Sequence, residues 1–267
     1  MKKLYFIGAG KMASAIAGGL TSSGAFSPDE LGAFDPSAAA AKAFYELSGV
    51  RVDTNSPSSG IAGSETVLLA VKPQVIGKLA NLRDELKNKL IISIAAGISI
   101  EKLMEISGSS RIIRVMPNTP ALVGKGASGY ACSGDVTQNE EAFAKKILSA
   151  AGIAFKFDES ALDAVTALSG SGPAYVFEFI QALADGGVAE GLPRDTAQLL
   201  AAQTVLGAAA MVLETGEHPT SLKDKVTSPA GTTSRALEVL ADRSFSGAVI
   251  KAVRAAAERS RELGKNK

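Results

Sequence analysis

Two runs of small residues hold the groups best suited to chemistry. The first, LYFIGAGKMASAIAGGL from Leu4, sets Gly8, Gly10 and Ala13 directly after an apolar run and at the start of a helical pattern. This is the G-x-G-x-x-A spacing of a dinucleotide-binding turn. Gly8 permits the turn, Gly10 lets the backbone approach a pyrophosphate, Ala13 allows close helix packing, and the helix N-terminus aims N–H groups at phosphate. The second run, SPAGTTS at residues 228–234, interrupts helical sequence with Gly231, Thr232 and Thr233. Free N–H groups at the positive end of a helix dipole, with two hydroxyls beside them, suit a carboxylate. Simple capping of that helix by Thr232, Thr233 or Ser234 is the alternative role for the same residues.

Further candidates lie where strands end. GAFDPS brings Asp35 25 residues after Gly10, where an acidic side chain bonds a ribose 2′-hydroxyl and repels a 2′-phosphate, which leans toward NAD. The same Asp-Pro-Ser is also good turn and N-cap chemistry. LLAVKPQ ends an apolar run with Lys72-Pro73, and ISIAAG ends the next with small residues; both would line a groove beyond the carboxyl ends of parallel strands. Lys72 suits either a phosphate contact or plain solvation. SGSGPAYVF offers Ser171 between two glycines, with Pro173 removing a helical hydrogen bond and able to kink the helix; a packing notch would explain it equally. In RVMPNTP, Asn118 is the side chain best able to bond a ligand, against a purely structural turn.

Composition narrows the chemistry. The 267 residues carry 28 Lys plus Arg against 27 Asp plus Glu, a net charge of +1, without the basic block of a nucleic-acid binder. Cys132 and His218 are the single cysteine and histidine, which excludes a disulfide framework and a Cys/His metal cluster, so no metal site is expected. The N-terminal apolar run breaks into glycines after a few residues, unlike an export signal. The most apolar stretch, Leu199 to Leu213, falls short of the roughly 20 residues that span a bilayer. A soluble cytoplasmic protein with a small-molecule ligand, and no membrane or nucleic-acid partner, is expected.

The elements that must position these groups alternate. Strands are expected at Leu4–Ile7, Leu31–Phe34, Val67–Val71, Leu90–Ile94 and Ile112–Val115, with helices at Lys11–Ser22, Ala38–Leu47, Gln74–Leu82 and Ile100–Ile106. Such alternation implies an α/β, doubly wound parallel sheet. Strands at Ala127–Cys132 and 153–157 and a helix at Asn139–Ala150 complete it. Beyond Asp158 only helices are expected, at Ser160–Glu190, Arg194–Thr215, Ser234–Ala241 and Gly247–Leu263, giving domains of residues 1–159 and 160–267. Leu199–Leu213 and Ala248–Ala257 are apolar or alanine-rich around most of their circumference, more than about 105 residues can hide alone. A second copy of the chain is the expected cover.

Taken together, GAGKMA, AVKP, RVMPNTP, SGSGPAYVF and SPAGTTSRAL resemble, in order and spacing, the pyrroline-5-carboxylate reductase family over residues 1 to about 263. The resemblance implies reduction of L-1-pyrroline-5-carboxylate to L-proline with NADPH or NADH. It also implies an N-terminal Rossmann-like domain and an all-α C-terminal dimerisation domain, interlocked in a homodimer and, in many members, a decamer. It puts the cofactor along Ile7, Gly8, Ala9, Gly10, Lys11 and Met12, at Asp35, Pro36 and Ser37, at Asn55, along Ala70, Val71, Lys72 and Pro73, and at Ile94, Ala95 and Ala96, with Asn118 near the nicotinamide end. It puts the substrate against Val226, Gly231, Thr232, Thr233 and Ser171, with Thr233 on the ring nitrogen and Thr233 and Ser171 as the catalytic pair. Asp35 departs from members that carry Ser or an Asn-Arg pair there and prefer NADPH.

No histidine or cysteine stands in these motifs, yet an iminium is its own electrophile and can arrive protonated. The protein then has mainly to orient two bound partners, for which hydroxyls and amides suffice. The 3-hydroxyacid dehydrogenases, similar in build, place a catalytic lysine four residues after the last glycine of a like helix motif. Here that position is Val176, and Ile180 stands where they have Asn, so alcohol oxidation by that route is disfavoured. A nucleotide-binding scaffold with lapsed chemistry is disfavoured by the intact motifs. The substrate pocket is expected at or near the dimer interface, facing the nicotinamide.

Overall fold

The computed structural model describes residues 2–265. Eight strands, β1 (Lys2–Ile7), β2 (Leu31–Phe34), β3 (Val52–Asp53), β4 (Ser64–Leu69), β5 (Leu90–Ser93), β6 (Ile112–Met116), β7 (Gly126–Cys132) and β8 (Gly152–Lys156), form one sheet ordered β3-β2-β1-β4-β5-β6-β7-β8. Every neighbouring pair is parallel except β6–β7. Around and after it run α1 (Lys11–Ser22), α2 (Ala38–Ser48), α3 (Ser58–Ala62), α4 (Pro73–Ile76), α5 (Arg83–Leu86), α6 (Ile100–Ser107) and α7 (Gln138–Ser149). Then follow α8 (Leu162–Val165), α9 (Gly172–Ala189), α10 (Arg194–Thr215), α11 (Pro219–Lys225), α12 (Thr232–Asp242) and α13 (Phe245–Lys265).

Strand alternation explains the double winding. Leu4 and Phe6 of β1 point to one face and pack with Ile16 of α1, Phe44 of α2 and Ile147 of α7. Tyr5 and Ile7 point to the other and pack with Leu86 of α5 and Leu103 and Ile106 of α6. Because both faces are covered, the central strands read as unbroken apolar runs. The order reverses at β1, with β2 on one side and β4 on the other. That switch point opens a crevice at the carboxyl ends of the strands.

Compactness divides the chain into two units: residues up to Ser171 together with those from Ala255 onward, and Gly172–Arg254. The boundary expected at 160 falls inside the first unit: the sheet's last strand ends at Lys156, and α8 and the π turn after it group with the sheet although they are helical. The C-terminal part of α13 returns to this unit, where Ser260 Oγ donates to Asp163 Oδ1 at 2.5 Å.

The second unit by itself has almost no core. Three alanines, Ala184, Ala197 and Ala201, are its main buried cluster, with Ile180 and Val188 packed against them. Leu199, Leu206 and Leu213 of α10 stand 72%, 57% and 76% exposed. The expectation that this segment is too short to span a bilayer needs correction: α10 is 22 residues, long and apolar enough by length and composition, and only 11% of that stretch is buried within the chain. The helix runs on through Arg194–Gln198 at one end and Glu214–Thr215 at the other, so the apolar run is only part of it. Contiguous exposed leucines of this kind mark an association surface.

Three other expectations change. The helix anticipated over 74–82 is broken into α4, a 3-10 stretch at Gly77–Leu82, and α5. The single helix anticipated over 160–190 is interrupted by a π turn at Thr166–Gly170. Residues 219–225, anticipated as connection, form α11, because Pro219 fits the first helical position and His218 Nδ1 accepts from the Thr220 N–H at 3.2 Å.

The exposed α10 face yields a prediction. Burying a leucine is worth roughly 1.5–3 kcal/mol, so Leu199→Glu with Leu206→Glu should abolish self-association and lower Tm. Sedimentation velocity beside thermal melts checks this; an unchanged oligomer would show that α10 stays solvated.

Candidate active site

The glycine turn is shaped by the strand beside it. Gly8 has φ +103°, and a Cβ there would lie 2.7 Å from the Ala70 carbonyl oxygen, so the β1 and β4 ends approach more closely than any side chain permits. Hydrogen bonds fix the arrangement on both sides: Gly8 N–H to Phe34 O and Ala70 N–H to Ile7 O, each 2.8 Å. Gly10 is the N-cap of α1 without a side-chain cap, and a Cβ there would meet nothing within 4 Å. The turn therefore leaves the first amides of α1 uncapped beside open space, as a pyrophosphate requires. Ile7, Ala9 and Ala95 have buried side chains, so backbone is what they offer a ligand.

Asp35 does more than either role expected of it. Its Oδ2 accepts from the Ala9 N–H at 2.8 Å, pinning the glycine turn to the end of β2. Its Oδ1 accepts from the Ser37 N–H at 2.9 Å, a turn contact, while Ser37 itself caps α2 by accepting from the Ala40 N–H at 3.3 Å. A carboxylate has about four acceptor positions, so two amides leave capacity for a ribose hydroxyl. Pro36 is exposed beside it. Asn55 lies just beyond β3, its N–H donating to Asp53 Oδ1 at 2.8 Å, and the Asp53 carbonyl accepts from the Asp35 N–H at 3.1 Å.

The other expected cofactor segments reach the same pole of the sheet. Ala70 and Val71 follow β4, Lys72 is exposed, and Pro73 opens α4. Ile94 follows β5 and donates its N–H to Leu69 O at 3.1 Å, with Ala95 and Ala96 next in the chain. Lys11 and Met12 begin α1. The structure thus assembles the segments expected to hold a dinucleotide within one unit.

Asn118 is a different case. It is buried at 7% exposure, its Oδ1 accepts from the Ala127 N–H at 2.8 Å, and its Nδ2 donates to Ser169 O at 3.0 Å. The amide joins two parts of the fold, committing one of its two N–H groups and one lone pair of its oxygen to that task. Ser171, at the end of the π turn, donates its N–H to Thr166 O at 2.8 Å. The interruption of the helix begins before Pro173, where the wide turn absorbs one residue.

In the second unit, α12 begins at Thr232 with Gly231 as N-cap and no side-chain cap. None of Thr232, Thr233 or Ser234 caps the helix as local rules anticipate. The Ser234 hydroxyl donates back to Gly231 O at 2.9 Å. A Cβ on Gly231 would stand 2.2 Å from Ser228 Oγ, so a larger residue there would have to turn the Ser228 hydroxyl aside. Ala230 takes φ +57°, a left-handed conformation that costs roughly 1–2 kcal/mol for a residue with a Cβ. Val226, 61% exposed, ends α11 and lines a small apolar cleft with Met211 and Leu222.

Two features were not anticipated from sequence. Glu159 Oε1 accepts from the Ile100 N–H and from Arg114 Nη1, each at 2.8 Å, tying α6 and β6 to the turn that leaves the sheet. Cys132 is partly buried, and burial, with the Glu141 carboxylate nearby, pushes its thiol up to about 11. Among the described residues no group of three His, Cys, Asp or Glu side chains is placed to hold a metal ion.

Comparison with known proteins gives two family matches. Residues 159–263 match the model described as pyrroline-5-carboxylate reductase dimerisation, and residues 3–97 match that described as NADP oxidoreductase coenzyme F420-dependent. A pyrroline-5-carboxylate reductase of Arabidopsis thaliana is 48% identical over 99% of this chain and 96% of its own. The structure of a pyrroline-5-carboxylate reductase from Coxiella burnetii superposes with a TM-score of 0.93 at 37% identity, covering 98% of each chain. That of Plasmodium falciparum pyrroline carboxylate reductase, with NADP bound, gives 0.86 at 36% identity and the same coverage.

The raised thiol predicts pH-dependent alkylation. Only thiolate reacts with iodoacetamide, and an ordinary cysteine titrates near about 8.5. Modification of Cys132 should therefore climb about tenfold per pH unit up to about pH 10, without levelling near 9. Mass-spectrometric labelling rates check it, and a plateau below pH 9.5 would contradict the burial argument.

Proposed function

This chain belongs to the pyrroline-5-carboxylate reductase family, and we propose that the glycine turn at Gly8–Met12 and the α12 N-terminus at Gly231–Thr233 carry its reaction. That reaction is the reduction of L-1-pyrroline-5-carboxylate to L-proline with NAD(P)H, the last step of proline biosynthesis. When bound, the dinucleotide supplies a hydride to the imine carbon. The turn at Gly8, Gly10 and the α1 amides would hold its pyrophosphate, and Asp35 with Ser37 its adenosine ribose. The ends of β4 and β5, at Ala70–Pro73 and Ile94–Ala96, would flank the rest.

The observation that carries the substrate assignment is the uncapped start of α12. A helix that declines three available hydroxyl caps keeps its first-turn amides for an outside acceptor. The carboxylate of the imine acid is such an acceptor. The Thr233 hydroxyl then holds the ring nitrogen and orients the C=N bond, with Thr232, Val226 and Ser171 completing the contacts. Nothing here needs to abstract a proton from carbon, so fixed donors and orientation account for the chemistry.

The same proposal extends to assembly and location. The near-coreless second unit and the dimerisation match support a homodimer, and association of dimers into a decamer would follow the family habit. One thiol and no disulfide suit a reducing, cytoplasmic compartment.

Two measurements test the assignment. Thr233→Ala should lower kcat/KM for the imine by about 10²-fold, the scale of losing one oriented donor, with KM for NAD(P)H little changed. Wild-type kcat/KM in that variant would remove Thr233 from the chemistry. Asp35→Ser removes a charge that opposes the 2′-phosphate, so the NADPH/NADH ratio of kcat/KM should rise by about tenfold, equivalent to about 1.4 kcal/mol. An unchanged ratio would leave Asp35 only its backbone contacts.

A further inference from the structure

Pro173 has no N–H, so the carbonyl of Ser169, four residues earlier, lacks its helical donor. Asn118 Nδ2 donates to that carbonyl at 3.0 Å from outside the helix. The same amide's Oδ1 accepts from the Ala127 N–H at 2.8 Å, and one orientation of the group satisfies both bonds. At 7% exposure, an unpaired amide would be costly, so the orientation is firmly held. Between Asn118 and Pro173 in this arrangement lies the π turn Thr166–Gly170, closed by Ser171 N–H to Thr166 O at 2.8 Å. Ser169 Oγ donates to Val165 O at 3.0 Å, and Gly170 lies against the Met116 side chain, where a Cβ would come within 2.7 Å of Cε. A single π turn of this kind is often found at functional sites.

We infer that Asn118 is a positioning residue, replacing the donor that Pro173 removes, so that the loop after β6 sets the position of Ser171. Asn118 acts through the Ser169 carbonyl and touches neither substrate nor cofactor. A conventional helix would close Ser169 with the N–H of residue 173 and lock the segment into α-helical spacing. With proline at 173 and asparagine at 118, the wide turn is held instead, and Ser171 is carried where the helix alone would not put it. The functional consequence rests on Ser171 being a substrate contact, as proposed above.

The test exploits the exchange of donors, using the full-length oligomer. Asn118→Asp keeps the acceptor for Ala127 and loses the donor to Ser169. Pro173→Ala in that background returns a backbone N–H to the Ser169 carbonyl. Losing the bond should speed hydrogen exchange at the Ser171 amide and lower kcat, each by about fivefold to tenfold, with NAD(P)H KM unchanged within about twofold. The double variant should recover most of both. Unchanged exchange in Asn118→Asp overturns the proposal, as does a double variant no better than the single. A rise in NAD(P)H KM with kcat intact would instead make Asn118 a cofactor ligand. Should Asn118→Asp not fold, Asn118→Ala with and without Pro173→Ala gives the same comparison. Ser171→Ala separates the two claims: if it is kinetically silent while exchange still follows residues 118 and 173, the clamp stands and the role of Ser171 falls.

Discussion

The contact between Gly8 and the Ala70 carbonyl is what the cofactor end is built around. Two adjacent parallel strands finish so close together that no Cβ fits between them, and the chain turns there with a positive φ. Hydrogen bonds on both sides, from the Gly8 N–H to Phe34 O of β2 and from the N–H of Ala70, just past β4, to Ile7 O, hold the turn at the switch point of the sheet. Asp35 adds a third restraint by accepting from Ala9. A backbone restrained in this way can offer its amides to a phosphate without reorganising on binding, which is where affinity is otherwise lost.

The second unit works from the opposite constraint. The sheet-bearing unit buries large side chains on both faces, whereas Gly172–Arg254 has little beyond three buried alanines and a surface of leucines. Such a segment gains too little from its own burial to offset the ordering of its residues. Its helices become stable only when another surface covers them. Residues 159–263 match a family model described as dimerisation, and a second copy is the kind of surface that such helices need. By length and composition alone α10 would also pass for a membrane span.

Legibility in the sequence followed how local the cause was. Strands such as Leu31–Phe34 were readable because both faces are covered and the run is apolar throughout. β3 was not, being two residues, one of them Asp53, that pair only because β2 lies alongside. The boundaries of α1 and α10 could be read from glycine and proline punctuation, but α11 could not, since its start depends on His218 acting as a cap, a rare use of that side chain. At the site, motif spacing brought out the glycine turn and the threonines. The bonds of Asp35 to Ala9 and of Asn118 to Ser169 span 26 and 51 residues, and no local pattern announces them. Only the bare fact that Pro173 leaves a carbonyl without a donor pointed toward the second.

Strain and open donors coincide at the start of α12. Serine or threonine at the N-cap would be worth about 1 kcal/mol to this helix, and three hydroxyl residues stand within reach of the task. The chain instead puts glycine at the cap, folds Ser228 beneath it, and accepts a left-handed Ala230 one residue earlier. Each choice lowers local stability, and together they keep the first-turn amides uncapped and the threonine hydroxyls out of the capping role. Strained backbone of this sort persists where the surroundings over-determine it, and it gathers at sites whose function depends on geometry held in advance. An iminium needs orientation more than proton transfer, and a fixed row of neutral donors of this kind would be enough to supply it.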